Sequence, residues 1–201
     1  MRKIVVIGAA GCGKSSLARR LCENKFDANE QPTVGLNMCI LHDTTQLWDM
    51  SGHRQYSKVV FGQLSGADGI LLCYSCASAE SFNELRDHWL PSLRDRNCSP
   101  IYLVGTRTDG VRQVVLKDVA KLVAELDVKQ FSECSAKTGT GMDNIKAWIA
   151  GIPIPPHVAA AGEASFDQEQ LLTQSVSTLD CLTTLFGCCR RDADLSDEVG
   201  L

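Results

Sequence analysis

The sequence predicts an α/β fold with a mainly parallel sheet and helices on both faces. Two observations predict it. Short apolar runs alternate with longer amphipathic ones from Lys3 to Gly151, the pattern of strands joined by crossover helices. A glycine-rich turn, Gly8–Gly13, leads from the first apolar run straight into the first amphipathic one. The chain has 201 residues, of which 44% are hydrophobic and 22% charged. That is an ordinary globular composition, with room for one domain and an extension.

The elements follow in order. Lys3–Ile7 carries Ile4-Val5-Val6-Ile7 and reads as a core strand. Lys14–Glu23 is the first helix. Leu36–Leu41 and Gln46–Asp49 flank His42-Asp43-Thr44 and read as an antiparallel hairpin, the exception in a parallel sheet. Gly69–Ser75 is the fourth strand. Ala79–Arg96 is a helix in which Pro91 predicts a kink, because proline lacks the N–H that continues the ladder. Ile101–Gly105 and Gln130–Cys134 complete six strands, with a helix at Leu116–Leu126 between them. In the last helix, Gly141–Gly151, the residues Ile145, Trp148 and Ile149 share one face. Pro153, Pro155 and Pro156 end it. The domain is therefore expected over residues 1–152, and 153–201 as a separate extension. The extension holds a linker, an amphipathic helix through Leu172, Val176, Leu179, Leu182 and Phe186, and an acidic end.

Charge divides the chain at the same place. Residues 1–151 carry 18 basic and 16 acidic side chains, whereas 152–201 carry 2 and 8. No basic patch or domain of the kind nucleic-acid binding needs is present, so nucleic acid is not an expected partner. No apolar run reaches the length of a membrane span. The N-terminus reads as a strand rather than a signal peptide, which predicts a cytoplasmic protein. Of its ten cysteines, Cys12, Cys22, Cys39, Cys73, Cys76, Cys98 and Cys134 are scattered through the body and then read as reduced thiols. Cys73-Tyr74-Ser75-Cys76 has CxxC spacing. It lacks a second ligand pair for zinc and ends a strand, so it reads as packing.

Gly8-Ala9-Ala10-Gly11-Cys12-Gly13-Lys14-Ser15 fits G-x-x-x-x-G-K-[ST], with a strand before it and a helix after it. Such a loop turns several backbone N–H groups onto phosphate oxygens, and the helix N-terminus favours the same anion. Lys14 neutralises phosphate charge, and the Ser15 hydroxyl, followed by Ser16, is placed for magnesium. Two further loops close parallel strands, where open α/β sheets bind ligands. They are Thr106-Arg107-Thr108-Asp109 and Ser135-Ala136-Lys137. A carboxylate at Asp109 can accept hydrogen bonds from guanine N1 and N2, which adenine cannot supply.

Taken together, these motifs resemble the small GTPases of the Ras superfamily, from Ile4 to about Ile152. Gln31-Pro32-Thr33-Val34-Gly35 resembles the first switch and Trp48-Asp49-Met50-Ser51-Gly52-His53 the second. The resemblance implies a three-layer P-loop GTPase fold and a molecular switch that binds GTP and GDP and hydrolyses GTP. It implies Mg2+ as cofactor, held by Ser15, Thr33 and, through water, Asp49. Gly8, Gly11, Cys12, Gly13, Lys14, Ser15 and Ser16 would cradle the phosphates. Thr33 and the Gly52 amide would sense the γ-phosphate. Phe26, Thr106, Arg107, Asp109, Ser135, Ala136 and Lys137 would hold guanine. Effectors, exchange factors and GTPase-activating proteins are the implied partners of a monomer, and vesicle traffic is the implied setting. Thr33–Met38 and Trp48-Asp49 resemble Arf proteins, whereas Ala79–Trp89 and Ser135-Ala136-Lys137 resemble Rab proteins.

Three departures touch chemistry. His53 stands where the family has a Gln that orients the attacking water, which predicts slow hydrolysis with His53, Lys14 and Gly52 as the catalytic set. Ala10 stands where Ras has Gly. Thr106-Arg107 replaces the common Asn-Lys. In the extension, Cys188-Cys189 resembles a Rab double cysteine. Twelve residues follow it, and the terminus is not a C-a-a-X box, so simple prenylation is not expected. A partner-binding or back-folded helix is preferred there over an acylated anchor at Cys181, Cys188 or Cys189, which would give peripheral contact with an internal membrane. The competing reading of the whole chain is a pseudo-GTPase scaffold with constitutive or lost nucleotide binding.

Overall fold

The computed structural model describes residues 1–94, 99–125 and 130–154. The predicted tail helix and its cysteines lie outside the described residues. Six strands form one sheet in the order β2-β3-β1-β4-β5-β6. They are β1 (Arg2–Gly8), β2 (Leu36–Leu41), β3 (Thr45–Met50), β4 (Gly69–Ser75), β5 (Ile101–Thr106) and β6 (Phe131–Glu133). All pair in parallel except β2 with β3. That hairpin closes through His42 and Asp43, both at positive φ, with the Thr44 N–H donating to Leu41 O at 3.4 Å. Two successive left-handed residues make a type I′ turn, whose twist matches that of the strands.

Strand alternation sends successive side chains of β1 into opposite layers. Val5 and Ile7 face a core closed by α2 (Ser57–Gln63), α3 (Ala79–Glu84) and α5 (Leu116–Glu125), with Trp89 and Leu103 fully buried in it. Ile4 and Val6 face a second core closed by α1 (Lys14–Glu23) and α6 (Met142–Gly151). Cys73 belongs to the second core and Cys76 to the first. The CxxC thiols therefore point into different layers, in keeping with packing. On α6, Ile145 and Ile149 are buried and Trp148 stacks at the edge against Tyr102, 5.0 Å between ring centres.

The structure adjusts several expectations. The 79–96 helix is three consecutive pieces as far as it is described: α3, a π-helical turn at Leu85–Trp89, and α4 (Leu90–Arg94). The wide turn stands just before Pro91. The Leu90 N–H bonds back to Leu85 O, an i→i−5 bond that absorbs the irregularity a proline forces on the ladder. A simple kink was expected. The helix α2 and the short 3₁₀ turn before it, Arg54–Tyr56, were not expected at all. Strand ends differ by a residue or two, as at Thr45–Met50 against Gln46–Asp49.

β1 sits where the order of the sheet reverses, with β3 on one side and β4 on the other. Ligands of open α/β sheets bind in the crevice at the carboxyl ends of strands beside such a point. The Gly8–Gly13 loop leaves β1 there.

Candidate functional site

The loop between β1 and α1 is fixed by close backbone packing. A Cβ on Gly8 would lie 2.0 Å from Cys73 O on the neighbouring strand, so only glycine lets the chain turn there. Lys14, the first residue of α1, is only 5% exposed. Its Nζ donates to Gly8 O at 3.0 Å and Ala9 O at 2.7 Å. The ammonium is therefore held over its own loop. Cys12 is buried and its Sγ lies 3.5 Å from Cys73 O. Burial pushes this thiol's pKa up, so it stays protonated and packs. Gly11 and Ala10 are exposed on the outer side, and Ser16 is half-buried on α1.

Three oxygens converge beside Lys14. Ser15 Oγ lies 2.7 Å from both Thr33 Oγ1 and Asp49 Oδ2, and Thr33 Oγ1 lies 3.2 Å from Asp49 Oδ2. They come from α1, from the loop before β2 and from β3. Asp49 is 2% exposed. Burial raises its carboxyl pKa, while hydrogen bonds from Ser15 and Thr33 and the charge of Lys14 pull it down. Asp49 Oδ1 is buried with no hydrogen-bond partner among the described residues. Two hydroxyls and a carboxylate form an all-oxygen donor set, suited to a hard divalent cation. A buried anionic oxygen left without a partner is costly unless a cation or water meets it, so the residues fit magnesium.

The second switch begins against the same loop. A Cβ on Gly52 would lie 2.5 Å from Ala10 N and 2.6 Å from both Ala9 C and Lys14 Nζ. The Gly52 backbone therefore touches the phosphate loop directly, and no other residue fits without displacement. His53 follows in extended conformation, exposed, and accepts the Tyr56 N–H at 3.0 Å on its carbonyl. The rest of this segment is tied to the helices beside it. Ser57 Oγ meets His88 Nε2 at 2.9 Å, and Arg54 Nε lies 3.6 Å from Glu84 Oε1.

The base-side residues gather at the ends of β5 and β6. Thr106 is buried, and its hydroxyl lies against Cys12 O and, at 3.0 Å, Tyr74 O. One hydroxyl proton serves one of these acceptors at a time. Either way Thr106 ties β5 to the phosphate loop or to β4. Arg107 is exposed at φ 56°, with its side chain running back past Gly13. Ser135 Oγ donates to Asp109 Oδ1 at 2.6 Å. Ala136 and Lys137 follow on the same loop. Phe26, three residues beyond the end of α1, is 37% exposed. The loops that carry the phosphate-side, second-switch and two base-side motifs thus leave the carboxyl ends of β1, β3, β5 and β6.

Sequence reasoning did not single out Arg20. Its guanidinium donates to Ala136 O at 2.6 Å and Lys137 O at 3.1 Å. It also missed the Arg112–Glu133 ion pair. No helix among the described residues is long and apolar enough to cross a membrane.

A family model described as the Ras family matches residues 3–151. Ras-related protein Rab-1 of Theileria annulata is 33% identical over 158 residues, 74% of this chain and 72% of the relative. Ras-related protein Rab-18 of Lymnaea stagnalis is 33% identical over 150 residues, 70% of this chain and 74% of the relative. Ras-related protein SEC4 of Candida albicans is 30% identical over 167 residues, 78% of this chain and 79% of the relative.

Proposed function

Because the chain belongs to the Ras family of small GTPases, it is a switch that binds GTP and hydrolyses it to GDP and phosphate, and we propose that it turns over slowly on a cation held by Ser15, Thr33 and Asp49. The observation that carries the proposal is the convergence of those three side chains within 2.7–3.2 Å of one another. They come from three separate elements. A cation bound there would neutralise charge on the β- and γ-phosphates. The remaining work belongs to the chain. The N–H groups of Gly8, Gly11, Cys12 and Gly13, with the first turn of α1 from Lys14 to Ser16, bind the phosphates. Lys14 adds a charge already held over the loop, so it needs little reorganisation.

On the base side, Asp109 accepts from guanine N1 and N2, and Ser135 fixes one carboxylate oxygen. Arg107 lays its stem and planar head along the base, Phe26 stacks on it, and Ala136 and Lys137 border it. Thr106 holds the two loops together. Gly52 brings its amide to the γ-phosphate. Thr33 couples the first switch to the same end, so loss of that phosphate releases both segments. His53 occupies the water-orienting place. Positioning is most of what phosphoryl transfer asks of a protein. A shorter, ring-shaped side chain there in place of the family's Gln is the basis for slow turnover.

Regulators and effectors are the partners of such a switch. We place this one in vesicle traffic, in the cytoplasm, with the tail read as a partner-binding or back-folded helix in preference to a peripheral membrane anchor. The support is the Rab naming of its relatives. Denaturing the purified protein and identifying the released nucleotide by chromatography tests the core of the proposal. GDP or GTP is the expected product. An adenine nucleotide, or none after incubation with magnesium and GDP, overturns it.

A further inference from the structure

One guanidinium outside the nucleotide motifs holds the base-side loop. Arg20 lies on α1, half-buried. It donates from Nε to Ala136 O at 2.6 Å and from Nη2 to Lys137 O at 3.1 Å. Its Nη1 reaches Asn24 O at 2.7 Å, so the fork is anchored on its own helix end as well. Two consecutive carbonyls of the loop are thereby turned towards α1.

The consequence travels through one peptide plane. Lys137 C=O and Thr138 N–H belong to the same planar unit and point in opposite directions. Fixing the carbonyl therefore fixes the amide. That amide donates to Ser135 Oγ at 3.1 Å. Ser135 Oγ in turn donates to Asp109 Oδ1 at 2.6 Å. The path thus runs without a gap from Arg20, through the 137–138 peptide and the Ser135 hydroxyl, to Asp109. Asp109 is exposed, where a carboxylate rotates unless a partner restrains it. With its proton committed to Asp109 and its lone pair to Thr138, the Ser135 hydroxyl has one orientation.

We propose that Arg20 is a positioning residue for guanine selectivity, setting the direction of the Asp109 carboxylate through the 137–138 peptide and Ser135. The proposal rests on the reading of Asp109 as the group that meets guanine N1 and N2. It also gives a reason for arginine in particular. Four acceptors, the Asn24 side-chain oxygen at 3.3 Å among them, lie around one planar fork, and a lysine ammonium cannot reproduce that geometry.

The test compares GDP with IDP, whose hypoxanthine keeps N1–H and lacks the 2-amino group. Affinities are measured by displacement of a fluorescent GDP in magnesium buffer, using the full chain. If Arg20 aims Asp109, Arg20→Gln weakens GDP about tenfold (~1.4 kcal/mol) and IDP by much less, so the GDP/IDP ratio falls. Arg20→Lys gives an intermediate ratio. Ser135→Ala, which breaks the path in the middle, lowers the ratio as Arg20→Gln does, and the two together lower it no further. Equal weakening of GDP and IDP in Arg20→Gln or Arg20→Lys means a plain structural staple and overturns the proposal. Should Arg20→Gln not fold, Arg20→Lys and Ser135→Ala decide alone, since a wild-type ratio in either also overturns it. Asp109→Ala is the separate control. A wild-type GDP/IDP ratio in that variant defeats the base-site reading itself, whatever Arg20 does.

Discussion

Gly52→Ala puts the smallest possible probe at the contact between the second switch and the phosphate loop. The added Cβ would stand 2.5 Å from Ala10 N and 2.6 Å from Ala9 C, where ordinary contact begins at 3.4 Å. About 0.9 Å of separation must therefore be found. The third neighbour, Lys14 Nζ at 2.6 Å, ends a flexible side chain and can retreat. Ala9 and Ala10 are backbone, and the Ala9 carbonyl is held by Lys14. On the other side, Ser51 is buried and its N–H is tied to Gly35 O at 2.9 Å, but His53, Arg54 and Gln55 are exposed. The segment after Gly52 is the part that yields, and it moves away from the loop. Overpacking of this kind costs about 1–3 kcal/mol, which is about 5- to 150-fold in affinity if it falls on one state. It falls on the GTP state, because that state draws the Gly52 amide inwards. Titration with fluorescent GDP and with a fluorescent non-hydrolysable GTP analogue reads the two states separately. The GTP analogue should weaken by that factor and GDP by less than about threefold. Equal losses would mean that the phosphate loop itself had moved, and no loss would mean that the contact is absent. Either result refutes the reasoning.

Other perturbations have equally definite outcomes. His53→Gln should speed single-turnover GTP hydrolysis with GDP affinity unchanged, and a rate no faster than wild type would remove His53 from the account of slow turnover. Asp49→Asn removes the anion on which Ser15 and Thr33 converge, so GDP should leave about as fast in magnesium as in EDTA. Wild type should differ between the two by ~10-fold or more, the usual scale for groups that support a bound metal. Stability should fall in alkali for a stated reason. Burial raises the Cys76 thiol to about 11 and the Cys134 thiol to about 12, against 9.0 when free. The folded state holds these protons after the unfolded chain has lost them, so their contribution is intact below pH 9 and drains away from pH 9 towards 11–12. Melting temperature against pH should show this decline, and Cys76→Ser with Cys134→Ser should make it shallower, the remainder belonging to the other thiols that burial raises, Cys12 and Cys73.

What the sequence disclosed depended on how local each signal was. β1, the glycine loop and α1 are contiguous, so strand, turn and helix vouched for one another. The hairpin was legible because His42-Asp43-Thr44 interrupts two apolar runs, even though neither turn residue is the usual glycine or asparagine. The helix α2 was not, because Ser57–Gln63 spans seven residues with only Val60 buried, too few to establish a period. Pro91 announced an irregularity. Whether the helix would bend or widen depended on packing that keeps both Trp89 and Leu90 inside the core. Arg20 left no signal. It occupies a polar position on an amphipathic helix, and its partners are backbone carbonyls more than a hundred residues away, which carry no side-chain signature. Convergence of Ser15, Thr33 and Asp49 was foreseeable from their motifs alone. The unpartnered oxygen of Asp49 was not, since it depends on how deeply β3 sinks.

The place of β1 at the middle of the sheet has a consequence for synthesis. Its partners are β3 and β4, pairing Ile4 with Leu47 and with Gly69. Between the emergence of Ile4 and of Gly69 a ribosome adds ~65 residues, which at about 5–20 residues per second takes roughly 3–13 s. Through that interval Ile4-Val5-Val6-Ile7 has no partner on its β4 side, and it is the segment that nascent-chain chaperones have most reason to cover.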